Sequence, residues 1–217
     1  MAKEEPRSLK RQNRAPLAGV LLGNWAACAA VIRGDSLLES ARTQPIDVLR
    51  SLLPATAAML AVSVLNGQLS ANAKARVVFM RWADPLPGAR AFSVYAKSDS
   101  RIDIAALAQR FGPFPSAPRE QNALWYKLYR SIESEVQVRD ANQQFLLWRD
   151  CAAVVLLLAV TLVPVIAILT RHILPAVMLL TLLGLQFGLA VRAARVNGER
   201  LVTNVLALKG AEESTPQ

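Results

Sequence analysis

The residues best suited to chemistry form one short run, Asp99-Ser100-Arg101-Ile102-Asp103. Two carboxylates flanking a guanidinium can hold a cation or orient a charged substrate. The same trio also makes a turn, a helix cap and a local ion pair. Asp103 heads an apolar stretch, residues 104–111, that Gly112 closes, which predicts a short capped helix. The local structural use is therefore the favoured one. Ser93 and Lys97 stand four apart, the composition of a Ser–Lys nucleophile pair, but they need a helix to align them. The surrounding run AFSVYA (91–96) reads instead as a strand or an extended linker.

Other chemistries are excluded by residue type. The glycines never fall into G-x-x-x-x-G-K or G-x-G-x-x-G, so no phosphate-cradling loop is predicted. The single histidine, His172, lies between two apolar stretches, and Cys28 and Cys151 lie in or beside such stretches. No metal cluster assembles from them, and the thiols read as small hydrophobes. No cofactor is expected. With no histidine in the large polar segment, the commonest general base is missing there, and the sequence is read as non-enzymatic.

A second set of candidates is aromatic. Leu124, Leu128, Ile132 and Val136 recur every four residues, with Trp125 and Tyr129 alongside, which predicts a helix over 120–135. Most of that stripe should be core. Trp125, Tyr126 and Tyr129, with Asp99, Arg101 and Asp103, are the candidate partner-binding residues, because aromatic and arginine side chains concentrate in interface cores.

The elements that position these groups are set by hydropathy. Of the 217 residues, 53% are hydrophobic and 19% charged, fewer charges than the quarter usual in soluble domains, and the mean hydropathy is +0.28. The apolar excess is blocked. Residues 151–170 and 173–191 are free of charge and long enough to cross about 30 Å of hydrocarbon at about 1.5 Å per residue. Residues 15–32 and 51–69 are weaker, Ala-rich spans. The first span also has features of a secretory signal, with Ala27-Cys28-Ala29 as a cleavage-like site. Glu4 and Glu5 and the short apolar core before Asn24 favour a retained span instead.

Arg171 and His172 separate the last two spans and predict a tight turn, since a continuous helix would hold Arg171 at the bilayer centre. The predicted fold is thus an all-α membrane protein. Four transmembrane helices form two hairpins (15–69 and 151–191), with a mostly helical cytoplasmic insert at 70–150 between helices 2 and 3. A basic tail at 1–14 and a C-terminal tail at 192–217 complete the chain. The second span is expected to continue as a helix through Ser70–Phe79. Phe79, Arg81 and Trp82, mirrored by Trp148 and Arg149, are the expected interface anchors.

The segments 1–14, 33–50, 71–150, 171–172 and 192–217 carry five, three, twelve, one and four basic residues. By the positive-inside rule the first, third and fifth are cytoplasmic, so both termini are inside a bacterial inner membrane. The net charge of +9 is spread among acids with no dense basic run, which argues against nucleic acid and for solvated surface near anionic lipid.

Gly19-x-x-x-Gly23 and Gly184-x-x-x-Gly188 supply helix-packing grooves, either within the bundle or in a homo-oligomer. Asn24, Asn66, Gln68 and Gln186 are suited to interhelical hydrogen bonds, and Pro164 should kink its helix. The expected function is that of an accessory or scaffold protein. Its basic insert would dock a protein partner at the cytoplasmic face or relay that partner's state to the helices. A membrane-perturbing oligomeric effector of a prokaryotic defence system is the alternative. A small channel or transporter is disfavoured by the lack of intramembrane charge.

Overall fold

The computed structural model describes residues 9–33 and 42–212. The extreme tails and the middle of the predicted 33–50 loop lie outside the described residues, along with their part of the charge argument. The described residues are helical, with no strand among them. After a single turn at Leu9–Gln12, the chain forms α1 (Arg14–Arg33) and α2 (Pro45–Gln68). Next come α3 (Ala71–Phe79), a 3-10 turn (Pro87–Arg90), a π-helical turn (Ala91–Tyr95) and a short turn at Ala96–Ser98. Helices α4 (Ile104–Phe111), α5 (Pro118–Ser131), α6 (Val136–Thr170) and α7 (Ile173–Ala211) follow. Of these, α1, α2, α6 and α7 are long and apolar enough to cross a membrane.

Helix boundaries depart from the span boundaries in three places. The predicted helix through 70–79 is interrupted, because Leu69 turns extended (φ −64°, ψ 128°) before α3 begins. The run 91–96 is helical rather than extended. And α6 begins fifteen residues before Cys151, while α7 runs twenty residues past Val191. Charge ends an apolar span, but it does not end a helix; Arg, Glu, Gln, Leu and Ala are all good helix formers. At 39 residues, α7 is about 58 Å long, roughly twice the hydrocarbon thickness.

The chain divides into two compact units. The first comprises residues 1–70 and 149–191. Its core is Cys28, Ala55, Met59, Val62, Val154, Val155, Leu158, Leu162, Ile166, Leu179 and Leu183. Leu22, Leu60, Val160, Ile168, Ile173, Leu185 and Leu189 face outward and are each more than 60% exposed, an apolar exterior that water would penalise and lipid would not. Hydroxyls are satisfied within their own helices: Thr56, Ser63, Thr161 and Thr181 donate to the carbonyls of Leu52, Met59, Leu157 and Val177, so these polar groups need no water. The helix containing Pro164 continues through it to Thr170. Arg171 takes a left-handed conformation (φ 54°), and α7 starts two residues later.

The second unit joins residues 71–148 to 192–217. The continuation of α7 supplies buried Ala194, Leu201, Val202, Val205 and Leu206. Around it Phe79 and Phe145 approach to 6.2 Å between ring centres. Gly198 lies against both rings, where an added Cβ would meet their carbons at 3.2 Å. The segment read from sequence as a tail is thus part of this unit's core, because its apolar residues recur at helical spacing among charged ones.

Candidate functional site

In the first unit two of the four uncharged amides, Asn24 and Gln186, meet across helices, while the Asn66 Oδ1 is buried without a hydrogen-bond partner among the described residues. Asn24, 2% exposed, donates from Nδ2 to Gln186 Oε1 (3.0 Å) and to the Val20 carbonyl (2.9 Å). Trp25 Nε1 donates to Thr56 Oγ1 (3.0 Å). Two polar contacts therefore link α1 to α7 and to α2. Gly19, Gly23, Gly184 and Gly188 have no atom within 4 Å of an added Cβ, so these glycine faces stand open instead of receiving a neighbouring helix. Arg149 is 6% exposed and pairs with Asp150 at 3.0 Å.

The Asp99–Asp103 run folds into the second unit as a fixed turn. Asp99 accepts from the Arg101 backbone N–H (3.0 Å) and from its guanidinium Nη2 (2.6 Å). These bonds hold the Asp99 carboxyl down at about 2, and they raise Arg101 above its ordinary value. Asp103 accepts from Ala106 N at 2.9 Å, the cap that the sequence predicted for α4, and Gly112 ends that helix at φ 81°. Arg101 Nη2 also donates to Asn204 Oδ1 (3.3 Å), while Asn204 Nδ2 donates to the Gln137 carbonyl (3.3 Å). The run thus ties α7 to the first turn of α6.

Beside that tie lies an open cleft of about 630 Å³, lined by Arg101, Gln137, Asp140, Gln144, Asn197, Arg200 and Asn204 among others. Asn197, Arg200 and Asn204 fall on one face of α7, three and four residues apart. Arg200 and Asp140 have no ion pair among the described residues. The cleft thus offers amide donors and acceptors with one unpaired charge of each sign, an arrangement suited to a polar or dipolar segment of a partner. Of the six candidate partner-binding residues, Arg101 lines it.

The aromatic candidates have separate roles. Trp125 is 7% exposed, stacks on Tyr129 (5.5 Å between centres) and lies directly over Gly88, where a Cβ would come within 2.5 Å of its ring. Tyr129 receives a hydrogen bond at its hydroxyl from Asn142 Nδ2 (2.9 Å), and burial followed by Glu133 and Tyr126 pushes its pKa up. Tyr126 is 52% exposed. Trp125 is core, and Tyr126 is the aromatic of the three most available to a partner.

The expected interface anchors divide in the same way. Phe79 is buried in the second unit, whereas Trp82 is 84% and Met80 67% exposed. Their loop is held by Arg76 Nε, which donates to the Trp82 carbonyl (3.1 Å), and by Arg119, which pairs with Asp84 (3.3 Å). Ser93 and Lys97 are not paired with each other by any hydrogen bond.

Sequence reasoning passed over Gln121. It is 2% exposed, accepts from the backbone N–H groups of Phe92 (3.2 Å) and Ser93 (3.1 Å), and donates to the Ser116 carbonyl (3.1 Å). One amide therefore caps the π-helical turn and anchors the Pro-rich stretch before α5. The only sequence signal was a glutamine one residue from the register of an apolar stripe. Arg110 is a second omission: its Nη1 donates to the carbonyls of Lys209 (2.9 Å) and Glu212 (2.7 Å) and closes the end of α7.

Comparison with known proteins finds no matching family model, no similar curated protein and no similar solved structure.

Proposed function

We propose that this chain is a non-enzymatic accessory or scaffold protein of a bacterial inner membrane. In this reading α1 with α2, and the apolar lengths of α6 with α7, are two transmembrane hairpins, both termini are cytoplasmic, and the second unit docks a protein partner. The observation that carries the reading is the use of the polar groups in that unit. Asp99, Asp103, Gln121 and Arg110 are committed to backbone and helix-end contacts, while Arg200, Asp140 and Tyr126 remain turned outward. A photo-crosslinking residue at position 126 or 200 is expected to capture one stoichiometric protein in living cells. Repeated capture of lipid or of nothing would overturn the docking role. Reporter fusions placing residues 71–148 outside the cytoplasm would overturn the topology.

The open glycine faces support a second reading, an oligomeric effector that perturbs the membrane. Small residues free of intramolecular neighbours let a second helix backbone approach closely. Overexpression that leaves membrane potential and growth unchanged, with Gly19→Leu and Gly184→Leu equally silent, would remove it.

A further inference from the structure

The second unit holds another cleft, of about 360 Å³, between α3, α5 and the chain that follows α3. From α3 come Asn72 and Arg76, four residues apart on one face, and from α5 come Arg119 and Asn122, three apart. The intervening chain adds Trp82 and Asp84, with Pro85, Leu86 and Ala89 as an apolar wall. Direct contacts bring both arginines to the same loop. Arg76 Nε donates to the Trp82 carbonyl (3.1 Å), and Arg119 Nε donates to Asp84 Oδ1 (3.3 Å). Neither guanidinium makes another hydrogen bond among the described residues, so the terminal nitrogens of both keep their N–H groups. The side-chain amides of Asn72 and Asn122 also have no hydrogen-bond partner among the described residues.

The loop is held in an unusual shape. Met80 (φ 53°) and Asp84 (φ 43°) both take the left-handed conformation, which side chains disfavour and which persists where surrounding contacts enforce it. Between them Trp82 is 84% exposed, the most exposed of the large apolar side chains described. An indole left bare on a tethered loop offers a stacking surface that loses little freedom on binding. The charges narrow the ligand class. Two guanidiniums against the one carboxylate of Asp84 leave a single net positive charge, which disfavours a cation and suits an anion of low charge. Terminal guanidinium N–H groups match phosphate oxygens. The indole and the apolar wall suit a flat ring, and two carboxamides offer donors and acceptors to its edge. A hydrogen-bonding flat ring that carries one phosphate is a nucleoside monophosphate; a triphosphate brings more negative charge than the cleft balances.

We propose that this cleft binds a nucleoside monophosphate, with the base stacked on Trp82 and read at its edge by Asn72 and Asn122, and the phosphate held by Arg76 and Arg119. Every residue of the site lies in the second unit, and the site rests on neither the docking role nor the membrane topology proposed above. The test is isothermal titration calorimetry of the full chain in detergent micelles with AMP, GMP, CMP and UMP. At least one should bind saturably at one site. Trp82→Ala and Arg119→Gln should each weaken that binding roughly ten-fold, and Trp82→Phe should keep most of it. Asp84→Asn breaks the same ion pair as Arg119→Gln but leaves the phosphate donor, so it should bind at least as tightly as wild type. Absence of binding by all four at millimolar concentration overturns the site, as does wild-type affinity in Trp82→Ala, which removes an exposed ring and no packing. Weakening by Asp84→Asn equal to that by Arg119→Gln would make Arg119 a prop of the loop and overturn its role at the phosphate. Inorganic phosphate bound as tightly as the best monophosphate overturns the base contact, and tighter binding of the corresponding triphosphate overturns the monophosphate assignment.

Discussion

Single atoms decide several features of the second unit. An alanine at position 88 would place its Cβ 2.5 Å from the Trp125 ring and 2.6 Å from Asn122 Oδ1. Gly88→Ala is therefore expected to lower stability by about 1–3 kcal/mol, seen as an earlier loss of Trp fluorescence on heating; a melt equal to wild type would show that the ring moves freely. Gln121→Leu keeps the volume but orphans two backbone N–H groups at a cost of about 1–3 kcal/mol, and its mark should be fast hydrogen exchange at Phe92 and Ser93. Asp99 supplies a pH signature. Its folded pKa, about 2, lies below the ordinary carboxylate value near 3.9, so its contribution is complete above about pH 4 and fades as pH falls toward 2. Asp99→Asn should remove that part of the acid sensitivity, measured by protease resistance of the 99–111 region between pH 5 and 2.

At the scale of elements, what could be read from the sequence was whatever depends on near neighbours. The Asp103 cap and Gly112 stop of α4 need only adjacent residues, and both are present as expected. The four apolar helices follow from composition alone. The π-helical turn did not declare itself, because AFSVY alternates like a strand and its first amides are satisfied by Gln121, 28 and 29 residues away. Nor did the end of α7: its buried positions after Val191 are masked by Arg192, Arg195, Glu199 and Arg200, which point elsewhere. Asn24 and Gln186 lie 162 positions apart, so the amide types were legible and the pairing was not. A double-mutant cycle of Asn24→Leu and Gln186→Leu is expected to give a coupling of about 1 kcal/mol in steric-trapping or denaturant unfolding; additive effects would show that the pair contributes nothing.

For the molecule as a whole, the second unit is assembled from two stretches that are distant along the chain. A variant stopped after Val191 removes Leu201, Val202, Val205 and Leu206, all at most 3% exposed, and uncovers Phe79 and Phe145. Limited proteolysis should then cut throughout 71–148, while the helices of the first unit remain protected. Protection of both units would show that 71–148 folds without the α7 extension.

That two-part construction dictates an order of events during synthesis. Residues 71–148 leave the ribosome well before 192–212, and the 43 residues 149–191 are synthesised in the interval. Until the later stretch arrives, Val78, Phe79 and Phe145 lack the cover they have in the finished unit, and exposed apolar surface of this kind is what makes a partly made chain prone to aggregate. Translation speed across codons 149–191 thus becomes a determinant of yield, and slowing it should increase the insoluble fraction without changing any atom of the finished fold.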